Sequence, residues 1–138
     1  MKIVILGDLH LGARNGSNHF SAYFNRFFTH LLYPYMKKNG INKIIQLGDL
    51  FDNRTNLIYK AFHMNRGVWF KQMGENGFSM DMLLGNHDIA YKHTLEINSP
   101  ELLLGEYSHI NVISKPEKLT YDGVDIDIIP WICDENKE

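Results

Sequence analysis

Three short apolar runs in this chain each end in Leu-Gly followed by an oxygen-bearing side chain. Lys2-Ile3-Val4-Ile5 leads into Leu6-Gly7-Asp8, and Lys43-Ile44-Ile45-Gln46 leads into Leu47-Gly48-Asp49. Met80-Asp81-Met82-Leu83 leads into Leu84-Gly85-Asn86. Brief apolar runs bounded by turn residues read as buried strands. Their ends are where open α/β sheets gather ligands. Asp8 and Asp49 are 41 residues apart and Asp49 and Asn86 are 37 apart, each enough for one strand–helix–strand crossover. The pattern therefore predicts an α/β fold whose βαβαβ parallel unit brings three ligands to one edge of the sheet.

The segments between the runs agree with that order. A helix is expected from about Ser17, capped by Ser17 or Asn18, with Phe20, Tyr23, Phe24, Phe27, Leu31 and Tyr35 on one apolar face. Pro34 within it predicts a kink or a break, and Asn39-Gly40 ends it. A second helix is expected over 56–75, with Ile58, Ala61, Phe62, Val68 and Met73 approximating its buried face. After Asp88 come a polar loop over 89–99 and a short helix opened by Pro100. Strands follow at 111–114, 118–121 and 124–129, the last two joined by Asp122-Gly123 as a β-hairpin.

Composition narrows the setting. The chain has 138 residues, enough for one domain with a real core, and a formal net charge of −2. That balance offers no general attraction to nucleic acid, so any such binding must come from local groups or bound metal. Cys133 is the only cysteine, which excludes an internal disulfide and suits a reducing compartment. The first apolar run is far too short for a signal peptide or membrane span, so a cytoplasmic protein is expected. The chain stops just after a strand and an Ile129-Pro130-Trp131 segment. We therefore expect one domain over 1–138, incomplete at its C-terminal end.

The chemistry lies in the three strand ends. Asp8-Leu9-His10 sets a carboxylate and an imidazole two apart, on one side of an extended backbone. This pairing suits a first-row divalent ion such as Mn²⁺, Fe²⁺ or Zn²⁺. Asp49 has two oxygens with which to bridge two ions, and Asn86 adds a neutral amide oxygen to the second. Gly7, Gly48 and Gly85 would let the backbone approach the ions closely. His87 borders the ligands and is placed to give a hydrogen bond or proton to a leaving oxygen, with Asp52 or Asp88 as its orienting partner. Two ions roughly 3.5–4 Å apart would polarise a phosphoryl group and activate water for in-line attack. The tripeptide alone is not diagnostic. Leu104-Gly105-Glu106 has the same form, yet it ends an apparent helix.

Together these residues resemble the calcineurin-like metallophosphoesterases through Asp8-Leu9-His10, Gly48-Asp49-Leu50-Phe51-Asp52 and Gly85-Asn86-His87-Asp88. The resemblance implies the front portion of a two-sheet α/β/β/α sandwich with a dinuclear metal centre. Asp8, His10 and Asp49 would hold the first ion, Asp49 and Asn86 the second, and His87 paired with Asp52 would act on the leaving group. Within the family the chain is most similar to SbcD-type nuclease subunits, including those of phage recombination. This implies a Mn²⁺-dependent DNA exo- or endonuclease working with an SbcC-type ATPase, with a homodimer as one possible assembly. Arg14 and Arg54, and more remotely Lys92 and His93, are candidates to meet substrate phosphates. The family's later Gly-His and Gly-His-x-His motifs are absent, since His93 and His109 do not follow glycine. Little hydrolysis is therefore expected from these 138 residues alone. Two alternatives stand beside the nuclease. One is another phosphoesterase, acting on phosphoproteins or nucleotides; the other is a non-catalytic fragment that docks on a partner.

Overall fold

A computed structural model describes all residues from Met1 to Glu138. Four strands, β1 (Val4–Leu6), β2 (Lys43–Gln46), β3 (Ser79–Leu83) and β4 (Ile110–Ile113), form a parallel sheet in the order β1-β2-β3-β4. The register pairs Val4 with Ile44, Ile44 with Met80 and Met80 with Ile110, which levels the strand ends at one edge. The expected parallel unit is therefore extended by β4. A separate antiparallel pair, β5 (Glu117–Tyr121) and β6 (Val124–Ile128), is the expected hairpin. Asp122 and Gly123 both take positive φ at its two-residue turn, as the right-handed twist of the flanking strands requires.

Helices cover one face of the parallel sheet. The first rod comprises α1 (Asn18–Arg26), a π-helical turn (Phe27–Leu32) and α2 (Tyr33–Lys38), joined by residues in right-handed helical conformation. The helix runs through Pro34 without a break. The wider π turn lies just before the proline, where a missing N–H and a ring must be accommodated. The second rod repeats the design with α3 (Tyr59–Asn65), a π turn (Arg66–Lys71) and α4 (Gln72–Glu75), so it starts three residues later than expected. The helix α5 (Ser99–Leu104) begins at Asn98, whose side chain accepts from Glu101 N–H.

The core lies between these rods and the sheet. Phe28 stacks on Trp69, with centroids 4.3 Å apart and planes 11° apart, which locks the two π turns together. Met36, Phe70 and Met73 complete the layer against Ile44, Met80 and Met82. The apolar face expected of the first rod is not the one it buries. Phe20, Tyr23, Leu31 and Tyr35 are exposed, whereas Phe28, Leu32, Tyr33 and Met36 are buried.

The sheet's second face is different. Buried Asp81 accepts from Lys43 Nζ and Tyr121 OH, both at 2.8 Å, and from Asn111 Nδ2 at 3.1 Å. This network ties the hairpin to the parallel sheet. Burial and the Asp81 carboxylate raise the Tyr121 phenol well above its ordinary range, so it remains a donor. The chain thus supplies a helix layer, a parallel sheet and a two-stranded second sheet.

Candidate metal centre

The loops after β1, β2 and β3 are joined to one another before any side chain is considered. Leu9 and His10 N–H donate to the Asp49 carbonyl, and Leu11 N–H donates to the Leu50 carbonyl at 2.8 Å. Asp52 N–H returns a bond to the Leu11 carbonyl, so the first two loops pair like a short continuation of the sheet. Gln46 adds a clamp. Its amide nitrogen donates to the carbonyls of Gly48 (2.6 Å) and Gly7 (3.3 Å), and its amide oxygen accepts from Gly48 N–H.

Asp88 joins the second loop to the third. One carboxylate oxygen accepts from Leu50 and Phe51 N–H, and the other accepts from Gly85 N–H at 2.9 Å. Burial pushes its carboxyl up to about 6, against the pull of those N–H groups. Asp88 is therefore the pin of the loops and not a partner of His87.

Two glycines make the convergence possible. A Cβ on Gly48 would lie 2.6 Å from Gly85 N, and one on Gly85 would collide with Asp49 N and Oδ1. Gly7 is different, with no atom within 4 Å of a Cβ placed there, so close approach does not explain it. Two of the candidate ligands are themselves strained. His10 (φ 46°) and Asp49 (φ 51°) occupy the left-handed region, which costs a non-glycine residue about 1–2 kcal/mol. This corrects the extended Asp-x-His geometry expected from spacing. The side chains meet because His10 turns back toward Asp49.

Asp8, His10 and Asp49 each offer one ligand atom, and these atoms lie within 4.8 Å of one another. Asp49 Oδ1 also accepts from His87 N–H at 2.8 Å. The Asn86 amide sits between Asp49 Oδ2 and the Arg54 guanidinium, and its two orientations differ in meaning. With the oxygen toward Asp49, two acceptors face each other at 3.1 Å and the amide nitrogen faces the Arg54 donor, an unfavourable pair of contacts that a cation between the two oxygens would relieve. Turned over, Asn86 donates to Asp49 and accepts from Arg54 at 3.2 Å. The donor set of two carboxylates, an imidazole and an amide oxygen fits hard to borderline divalent ions. His10 Nδ1 is buried without a hydrogen-bond partner, with Asp52 Oδ1 3.5 Å away.

His87 stands beside this cluster, its ring edge-on to His10 at 4.9 Å. Its Nδ1 lies 2.8 Å from the Asp52 main-chain carbonyl, which can only accept, so Nδ1 carries the hydrogen and Nε2 faces away. The expected His87–Asp52 pairing is thus made by the backbone. The Asp52 carboxylate turns to His10 instead. Arg54 comes to the site through Asn86. The Arg14 guanidinium lies over the Phe20 ring, 5.9 Å from its centroid. Lys92 lines a separate surface pocket that Arg54 also borders, together with Trp131 and Lys137. His93 offers its carbonyl to Glu135 N–H and rests beside Tyr91.

Sequence reasoning missed Gln46, although a lone amide inside Ile44-Ile45-Gln46-Leu47 was the available signal. It also missed the cleft beside the ligands. That cleft, of about 560 Å³, is lined by Asp8, Asp49 and Asn86 together with the apolar Leu47, Ile129, Trp131 and Ile132. Trp131 N–H bonds to the Leu84 carbonyl at 2.8 Å, which fixes the C-terminal segment there.

Comparison with known proteins agrees with this geometry. Exonuclease subunit 1 of Enterobacteria phage T4 is 35% identical over 136 residues, which is 99% of this chain and 40% of that protein. The chain therefore spans less than half the length of this relative. The sequence profile of the calcineurin-like phosphoesterases matches residues 1–134. The chain belongs to the calcineurin-like phosphoesterase family.

Proposed function

We propose that this chain is the metal-binding front half of a DNA nuclease that hydrolyses phosphodiesters with two divalent ions. The observation that carries the reading is the meeting of Asp8, His10 and Asp49, with the Asn86 amide facing the second oxygen of Asp49. Asp8, His10 and Asp49 would hold one ion, and Asp49 with Asn86 the other. The mixture of oxygen and imidazole donors suits a first-row divalent ion; the SbcD-type resemblance favours Mn²⁺ among them, with Fe²⁺, Zn²⁺ and Mg²⁺ as related candidates. When bound, the ions supply Lewis acidity toward the phosphoryl group and a nucleophilic water.

The protein's own groups do the rest. The Asp52 carbonyl holds the His87 ring so that Nε2 points outward, where a proton on it is available to the leaving oxygen. Arg54 reaches the same spot and would meet a non-bridging phosphate oxygen once released from Asn86. Similarity to a phage exonuclease subunit supports a nucleic-acid substrate and a partner subunit; DNA, a recombination or repair setting, a host cytoplasm and an SbcC-type ATPase are the finer reading that the SbcD-type resemblance implies. No helix is long and apolar enough to cross a membrane.

A second reading has its own observation. The cleft at the ligands is bordered by exposed Leu47, Ile129, Trp131 and Ile132, an apolar wall that a further polypeptide segment would cover. On this reading the 138 residues are a binding module completed by another segment or chain. The nuclease reading expects slow catalysis by the isolated chain, and the binding-module reading expects none. The test is cleavage of linear duplex DNA and of a phosphomonoester with Mn²⁺ present. We expect slow DNA cleavage that falls at least 100-fold in His87→Ala, with no phosphomonoester turnover. A robust monoester rate, or a DNA rate indifferent to His87→Ala, would overturn the nuclease reading.

A further inference from the structure

Outside the metal centre, Asn65 is the buried amide with both of its polar groups unmet. It lies on α3, is 2% exposed, and neither its amide oxygen nor its amide nitrogen has a hydrogen-bond partner. No protein group meets either end of this buried amide, so it offers one acceptor and two donor hydrogens to whatever occupies the space beside it. Asn65 lines a cavity of about 150 Å³. Ala61, one helical turn earlier, lines it too and contributes only a methyl group.

The cavity has an aromatic wall. Phe51 and Phe62 both line it, with ring centroids 6.1 Å apart. Ile58 lines the cavity as well and is held against Gly16, where an added Cβ would lie 2.6 Å from the isoleucine. Asn53 and Asn56 are exposed at its rim. Asp52 belongs to both places. It lines the cavity, while its carbonyl holds His87 and its carboxylate faces His10.

We propose that this cavity binds a pyrimidine base of the nucleic acid whose phosphate is held at the metal centre. The inference rests on the nucleic-acid reading above and adds a subsite to it. Size is the first reason, because a cavity of about this volume takes one six-membered aromatic ring. The second is chemical. An amide presents one acceptor and two donor hydrogens side by side, the complement of the neighbouring donor and acceptor on a pyrimidine's Watson–Crick edge. A base with its face on Phe51 or Phe62 and its edge on Asn65 meets both unpaired groups and buries its flat surface. Position is the third, since Asp52 places the cavity one residue away from the reacting groups.

Binding of thymidine 5′-monophosphate and of 2-deoxyribose 5-phosphate to the 138-residue protein, measured by calorimetry with Mn²⁺, separates base from phosphate. We expect the nucleotide to bind at least tenfold more tightly. In Asn65→Leu, which matches the amide in size and removes the unmet polar groups, that advantage should vanish while the melting temperature holds or rises. Ala61→Val fills the cavity from its other side and should also abolish the advantage. Equal affinities in the unaltered protein, or an advantage that survives both substitutions, would overturn the subsite. If both ligands then bind only with Mn²⁺, the metal centre stands without it. If neither binds, both readings fall.

Discussion

Gln46 is a buried amide that satisfies three main-chain groups in two different loops, Gly7, Gly48 N–H and Gly48 C=O. Its removal would leave the two buried Gly48 groups unpaired, at about 1–3 kcal/mol for each, whereas the Gly7 carbonyl belongs to an exposed residue that water can reach. Gln46→Leu keeps the volume and deletes the bonds. We expect it to lower unfolding free energy in urea by about 2–3 kcal/mol and to weaken Mn²⁺ binding, although it touches no ion. An unchanged urea midpoint would mean the loops keep their places unaided. Single residues were legible in the sequence to an uneven degree. Asp8, His10, Asp49 and Asn86 stood out because ligand types repeat at strand ends, and the loops do bring them together. Asp52 does meet His87, but through its main-chain carbonyl, and Asp88 does not. Spacing cannot reveal whether a carboxylate or a backbone carbonyl faces a given imidazole. Asp88 spends its oxygens on Leu50, Phe51 and Gly85, which is why it is fully buried.

The two helical rods show what periodicity alone leaves open. Residues 20, 23–24, 27, 31 and 35 form an apolar stripe at helical spacing, but so do Phe24, Phe28, Leu32 and Met36, one position along. The rod buries the second stripe, and the π turn at Phe27–Leu32 sets Phe28 face to face with Trp69. Nothing in the local spacing marks a π turn, since it depends on the partner rod and on Pro34 downstream. Strand ends and the Asp122-Gly123 hairpin were legible for the opposite reason, as their signals are local. The choice of face has a direct test. Phe28→Ala should cost about 3–5 kcal/mol in denaturant unfolding, because Phe28 is fully buried in the stack. Tyr23→Ala, at a position 73% exposed, should change stability by less than about 0.5 kcal/mol. The reverse ranking would restore the stripe read from sequence.

Across the whole molecule, folding and ion binding are coupled through one carboxylate. Asp49 comes from the β2 loop, accepts from His87 N–H of the β3 loop, and through its carbonyl holds the Leu9–His10 segment of the β1 loop. These contacts exist only when β1, β2 and β3 lie in register, so the unfolded chain has no such site. An ion that binds only the folded state stabilises it by about 2.7 kcal/mol at a hundred times its dissociation constant. For a domain of this size that is an upward shift in melting temperature of roughly 10 °C. Without the ion, Asp49 adds a negative charge beside Asp8 and raises the Asp88 carboxyl, so the site carries a repulsive cost. Asp49→Asn keeps an oxygen for His87 N–H and removes that charge. The variant should therefore melt at or slightly above the temperature of the unaltered protein when metal is absent, and should gain almost nothing from Mn²⁺. Scanning calorimetry of both proteins across a Mn²⁺ series checks the pair of outcomes together. Equal Mn²⁺ shifts in the two proteins would mean that the ion binds elsewhere, and that the three loops converge for a structural reason alone.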